Sequence, residues 1–212
     1  MNLFHYPKSK HTRTQTPYPY KNYSDYKPSL RIEFAKTCVY CRTPDNLSEK
    51  IYYAVEHYKP KSIFPQLETE YTNLYYSCGH CNSKKGEFWP TDNELRLGIF
   101  IPNPCDHVMF QHLRTLTNCI VAHHSHAGEW TIDLLDLNSP KKIQKRNFYT
   151  DLYKDAKTKI VQCNKVLTAL ESKILNQDTQ EQSNIKNKYQ QAKANFDKIN
   201  SIIQFIEDDN PE

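Results

Sequence analysis

The stretch 73-NLYYSCGHCNSKKG-86 sets Cys78 and Cys81 two residues apart and follows the second at once with Asn82. A pair so spaced is half of a metal site, and its meaning depends on what completes it. The complement lies upstream, where Cys38 and Cys41 repeat the spacing with 36 residues between the pairs. A two-residue spacer lets both thiolates of a knuckle converge on one tetrahedral ion, with sulfur about 2.3 Å from zinc. Four thiolates close the shell, so the predicted Zn²⁺ is structural, and binding it pins both ends of the intervening segment. Redox disulfides are the alternative, but they give no reason for two matched pairs. His80, inside the second pair, could replace a thiolate; an outward orientation is the simpler expectation.

Working outward, the composition sets bounds. The chain has 212 residues, enough for one ordinary domain or a small domain with an appendage. No stretch approaches the ~18 consecutive apolar residues of a membrane span, and the opening residues MNLFHYPKSKHTRTQ lack the apolar core of a signal peptide. The expectation is a cytoplasmic chain without a membrane partner, its thiols kept reduced. Seven cysteines, an odd number, argue against a full disulfide framework. Four glycines leave nothing from which to build a phosphate loop or a dinucleotide fingerprint.

The net charge of +4 is unevenly spread: residues 1–61 carry 11 Lys/Arg against 5 Asp/Glu, 62–140 carry 4 against 9, and 141–212 carry 13 against 10. Residues 1–36 read as a basic, Tyr/Pro-rich arm. Its YPYKNYSDYKP run interleaves rings with lysines, which suits either nucleic-acid contact or a solvated arm packing its tyrosines on the domain. Residues 37–140 hold the chemical groups. From 141 to 212 the apolar positions fall into a rhythm of four and three: Tyr149, Tyr153, Ala156, Ile160, Cys163, Leu167, Leu170 and Ile174, then Ile185, Tyr189, Ala192, Phe196, Ile199, Ile203 and Ile206. The polar NQDTQEQSN between them suits a turn. Two helices with narrow seams predict an antiparallel hairpin, projecting rather than padding the core. Cys163 falls on a seam as a small apolar residue, and the His123, His124, His126 group reads as a polar loop rather than a metal site.

Between the knuckles, YYAVEHYKPKS reads as a strand entering a loop at Glu56-His57, YTNLYYSC as a second strand, and GHCNSKKGE as a short helix. Strand, loop, strand and helix, clamped by zinc, gather Glu56, His57, Asn73 and Asn82. This pattern, C-x-x-C … EH-x-x-P … N-L … C-x-x-C-N-x-x-K over residues 38–86, resembles the HNH (ββα-metal) endonucleases of the four-cysteine branch. With NPCD at 103–106, His112 and WTIDLLDLNSP at 130–140, the longer pattern is similar to the PtuB-type nucleases of Septu and retron antiphage systems. The fold so implied is α+β and mostly helical, a zinc-stabilised ββα core with the C-terminal hairpin.

The resemblance implies that His57 is the general base, that Asn73 orients its loop, and that Glu56 and Asn82 hold a catalytic Mg²⁺ or Mn²⁺. The residue types suit that chemistry: a phosphodiester needs a base for water and a cation on the phosphate, an imidazole is the natural base, and oxygen ligands suit Mg²⁺. Lys59, Lys61, Lys84 and Lys85 would hold the nucleic-acid backbone. Glu56 stands where the wider fold more often has Asp, and Asn82 where the family name has His. Asp106 and His112 are candidates for support or simply a structural turn. Also implied are a partner ATPase of the PtuA type and a retron reverse transcriptase with its RNA–DNA. The hairpin is the expected docking element. Structured RNA such as tRNA is an alternative substrate, and a zinc-ribbon module that binds without cutting is the alternative function.

Overall fold

The computed structural model describes residues 3–47, 52–174 and 179–207. The described residues up to Asn147 form one compact unit and those from Phe148 another.

The first unit is α+β. Strand β1 (Tyr53–His57) pairs antiparallel with β2 (Leu74–Cys78), Tyr53 opposite Cys78 and His57 opposite Leu74. Helix α2 (Gly79–Lys85) leaves the end of β2 directly and stops at Gly86, whose φ of +51° favours glycine. Strand, strand and helix thus follow one another as the sequence predicts. The first knuckle docks on β2 through Val39 N–H to the Tyr76 carbonyl, 3.0 Å. Around this centre stand α1 (Lys27–Glu33), α3 (Asp92–Arg96), a small hairpin of β3 (Leu113–Thr115) with β4 (Val121–His123), and α4 (His126–Leu134). Helix α4 is capped by the Ser125 hydroxyl, and it packs so tightly at Gly128 that a Cβ there would collide with the His112 carbonyl oxygen. Of the histidine group, His123 ends β4, His126 begins α4, and His124 lies in the bend between them. Among the described residues, only Cys38, Cys41, Cys78 and Cys81 cluster as metal ligands.

The core is aromatic. Phe34 stacks on Tyr75 and Tyr53 on Tyr76, with ring centroids 5.4 and 4.9 Å apart. Residues 3–36, read from sequence as an irregular arm, contribute Leu3, Phe4, Tyr6, Tyr26, Leu30 and Phe34 to this core. The segment lacks periodicity because its rings insert singly, and its backbone is held by distant partners: Tyr6 Oη donates to the Tyr40 carbonyl and His11 N–H to the Pro104 carbonyl.

Helix α5 (Pro140–Ile174) begins with proline at its first position, where no amide is needed. Its first turns belong to the first unit: Arg146 is buried and donates to the carbonyls of Cys119 (2.7 Å) and Leu137 (3.0 Å). The compact boundary therefore falls two turns beyond Pro140. In the second unit, the rest of α5 faces α6 (Thr179–Glu207) in antiparallel register: Tyr153 bonds Glu207 (2.6 Å) and Tyr189 bonds Glu171 (2.8 Å). Every seam residue predicted from the rhythm of four and three is buried or half-buried, while Lys154, Lys165, Lys186 and Lys198 between them are exposed. Among the described residues no helix is long and apolar enough to cross a membrane.

The N-terminal segment is stapled by Glu33, buried at the end of α1. Its carboxylate accepts from His11 Nε2 (2.8 Å), the amides of Thr14 and Gln15 (both 2.9 Å) and Tyr71 Oη (3.2 Å). Burial by itself would raise the carboxyl, but the two backbone amides and His11 outweigh it and hold Glu33 below its ordinary value. The stability this supplies is present above the unfolded carboxylate pKa of about 4.3 and is lost as pH falls through the lower folded value. Glu33→Gln should therefore lower stability at pH 7 by roughly 2 kcal/mol. Thermal unfolding of both proteins at pH 7 and in acid should show the difference shrinking on the acid side; a pH-independent difference would show that the charge is not what these bonds use.

Candidate active site and metal centre

The ligand atoms of Cys38, Cys41, Cys78 and Cys81 lie within 4.8 Å of one another, and all four residues are buried. Two come from a tight loop closed by Arg42 N–H to the Cys38 carbonyl, with Arg42 at φ +57°. The other two are the last residue of β2 and a residue in the first turn of α2. Thiols this close cannot all ionise alone: hydrogen bonds from the other three hold Cys41 well below its ordinary pKa, and donating to Cys38, Cys41 and Cys78 pushes Cys81 well above. A dication removes that conflict, and the donor set is one zinc takes. The residues present fit Zn²⁺. His80 is not among the clustered ligands, its Nε2 lying 3.9 Å from Asp136, so it does not replace a thiolate.

His57 ends β1. Its Nε2 lies 2.9 Å from the Glu68 carbonyl oxygen. A carbonyl can only accept, so this contact puts the proton on Nε2 and leaves the lone pair on Nδ1. Burial lowers the imidazole pKa; the Glu68 bond opposes this and Lys61 adds to it. The ring is therefore held neutral, as a base must be.

Asn73 sits where the second strand begins and clamps the loop that follows His57. Its Oδ1 accepts from Lys59 N–H (2.9 Å), and its Nδ2 donates to the carbonyls of Lys59 (3.0 Å) and Leu67 (3.3 Å). A buried amide that satisfies both backbone groups of one loop residue fixes that loop.

Glu56 and Asn82 present a different picture from the expected ligand pair. Glu56, 2% exposed, forms an ion pair with Lys85 Nζ at 2.6 Å, and Lys85 also donates to the His57 carbonyl at 2.8 Å. Burial pushes the Glu56 carboxyl up to about 7 although Lys85 and Tyr40 pull it down. A divalent ion on the same oxygen would meet the Lys85 ammonium, so Glu56 as arranged does not fit a catalytic cation. Asn82, half-buried, lies one turn before Lys85 on the same face of α2.

The lysines divide. Lys85 is 4% exposed and unavailable to a phosphate backbone. Lys84 is exposed. Lys59 lies 5.5 and 5.6 Å from the ring centroids of Trp89 and Phe64. Lys61 pairs with Glu68 at 3.0 Å on the surface. Asp106 belongs to a turn closed on Asn103, and His112 bonds the Ser125 hydroxyl at 2.7 Å. Sequence reasoning missed Tyr23, whose ring packs edge-on against His57 at 4.7 Å. The tyrosine-lysine interleaving marked its region, but nothing local singled out that ring.

Comparison with known proteins agrees with the geometry. Residues 38–88 match the HNH endonuclease family model. The chain is 34% identical over 116 residues to the Septu protein PtuB of Bacillus thuringiensis, an alignment covering 53% of this chain and 42% of that protein. It thus spans less than half of that relative's length. No solved structure matches.

The protein purified without added zinc should contain about one equivalent of zinc per chain. Cys78→Ser should lose the metal and much of the soluble yield. Elemental analysis with a chelator titration reads this directly, and a zinc-free, cooperatively folding wild type would refute the assignment.

Proposed function

We propose that this chain is an HNH endonuclease that hydrolyses phosphodiester bonds with His57 as general base, and that it acts as the effector of a Septu-type antiphage system. The observation that carries the reading is the imidazole fixed by Glu68 with its Nδ1 lone pair free, at the end of a strand whose loop is clamped by Asn73. Nδ1 takes the proton of the attacking water as the new O–P bond forms and the P–O ester bond opposite it breaks, the leaving alkoxide taking its proton from solvent. Lys84 and Lys61, on the surface beside the site, offer charge to the flanking phosphates. A zinc module that only binds has no use for a base held neutral and oriented, which disfavours that alternative.

The requirement for Mg²⁺ or Mn²⁺ enters from the family resemblance alone. The Glu56–Lys85 pair gives it no support, so no step is derived through such an ion. The partner ATPase of the PtuA type, and the retron reverse transcriptase with its RNA–DNA, come likewise from resemblance. The hairpin suits docking because Val161 and Val166 are 53% and 50% exposed on α5, off its seam.

His57→Ala should lower single-turnover cleavage by about 10²–10⁴-fold, with zinc content and melting temperature near wild type. The assay uses DNA and total RNA in parallel, with EDTA, Mg²⁺ or Mn²⁺, so substrate and cation are read together. Wild-type rates in His57→Ala would remove His57 as the base. Replacing Val161 and Val166 together by lysine should abolish co-purification with the ATPase while preserving helicity; retained binding would move docking to the first unit.

A further inference from the structure

We propose that the N-terminal segment, outside the matched domain, forms one wall of the His57 site, with Tyr23 and Arg13 acting as positioning residues for the imidazole and its loop. The inference rests on the reading of His57 as the base.

Tyr23 touches His57 itself. The ring centroids are 4.7 Å apart at an interplanar angle of 70°, an edge-to-face contact. Lys61 Nζ lies 4.5 Å from the Tyr23 centroid and pairs with the Glu68 carboxylate at 3.0 Å, while the Glu68 carbonyl holds His57 Nε2. Tyr23, Lys61, Glu68 and His57 therefore close a ring of contacts. A shift of Tyr23 would free the imidazole to turn and loosen the cation that steadies its hydrogen-bond acceptor.

Arg13 acts on the other support of the loop. Its Nη2 donates to the carbonyls of Leu74 (2.8 Å) and Thr72 (3.3 Å), the residues on either side of Asn73. The guanidinium lies among three rings, with centroids of Tyr75, Phe34 and Tyr71 at 4.5, 4.9 and 5.1 Å. It is delivered there because Glu33 grips His11, Thr14 and Gln15 on either side of it. Arg13 thus holds the backbone that presents Asn73, and Asn73 holds Lys59 and Leu67.

Simple packing does not account for these two residues. Apolar anchoring of the segment is already supplied by Tyr26, Leu30 and Phe34, each 5% exposed or less. Arg13 keeps Nε and Nη1 buried without a hydrogen-bond partner, a cost that an apolar side chain of similar length would avoid. What the guanidinium adds is direction: it fixes two carbonyls that flank one functional residue.

The test compares full-length wild type with Tyr23→Ala, Tyr23→Phe and Arg13→Met, the last keeping an unbranched stem among the rings but no donor. Hydrogen–deuterium exchange over residues 57–74, zinc content, and kcat and KM for cleavage are measured on each. Tyr23→Ala and Arg13→Met should keep zinc, exchange faster over 57–68, and lose roughly tenfold to a hundredfold in kcat with KM within about twofold. Tyr23→Phe, which keeps the ring edge, should restore most of both losses. Wild-type exchange over 57–68 in Tyr23→Ala and Arg13→Met would overturn the proposal, as would a change confined to KM, which would make the segment a substrate-binding surface. Should the wild type not cleave any nucleic acid, the nuclease reading fails on its own, and exchange alone decides whether the segment positions the loop.

Discussion

Four thiols confined within 4.8 Å demand a cation, and the geometry of the site follows from meeting that demand. The ligands sit at the ends of the elements that carry the chemistry: Cys78 closes β2 and Cys81 lies in the first turn of α2. With those ends tied, the β1–β2 ladder has one register, and Tyr53 opposite Cys78 places His57 opposite Leu74 at the far end. A strand of five residues without the metal would be marginal. The His57 imidazole is thus positioned by a hydrogen-bond ladder anchored at the cysteine cluster, and only its orientation is left to the loop.

That orientation is built from polar contacts inside an aromatic core. Tyrosines dominate because each brings apolar area together with a hydroxyl able to satisfy a distant backbone or side-chain group. Tyr58 Oη reaches the Ile101 carbonyl and Tyr75 Oη the Asn103 side chain, both at 2.6 Å, so the region after α3 is bonded to the strands it covers. Glu33 and Arg13 do the same for the N-terminal segment with charged groups. Such bonds contribute about 1.5–3 kcal/mol when made and cost more when half-broken, which favours one arrangement of the loop over many similar ones.

The parts legible in the sequence are those with a local code. The C-x-x-C spacing announces itself, and a hairpin seam of fours and threes needs one partner only, so each of its positions came out buried or half-buried. The family pattern singled out Asn73, whose side chain bonds the backbone of Lys59 and Leu67. Other features depend on which distant groups meet. The contact of Tyr23 with His57 joins residues 34 positions apart through a segment without periodicity. Arg146 appears in the sequence as one more charge of a basic run, yet it is buried against the carbonyls of Cys119 and Leu137. Lys85 looks like a surface lysine at the end of a short helix, and nothing nearby in sequence reveals the carboxylate waiting for it.

That carboxylate is where pattern and geometry part. Glu56 occupies the position of a metal ligand, but its longer side chain reaches the third residue beyond Asn82 and binds Lys85 at 2.6 Å. Both side chains are 2% exposed, so the pair surrenders hydration that its attraction only partly returns. The second bond of Lys85, to the His57 carbonyl, changes the balance. Through it one ammonium joins the helix, the carboxylate and the backbone of His57, giving α2 a direct grip on the end of β1. Removing either partner would strand a buried charge, at a cost of about 3–5 kcal/mol. In this arrangement the Glu56–Lys85 pair is part of the framework that holds His57, and at the position that the pattern reserves for a ligand Glu56 Oε1 is taken by an ammonium.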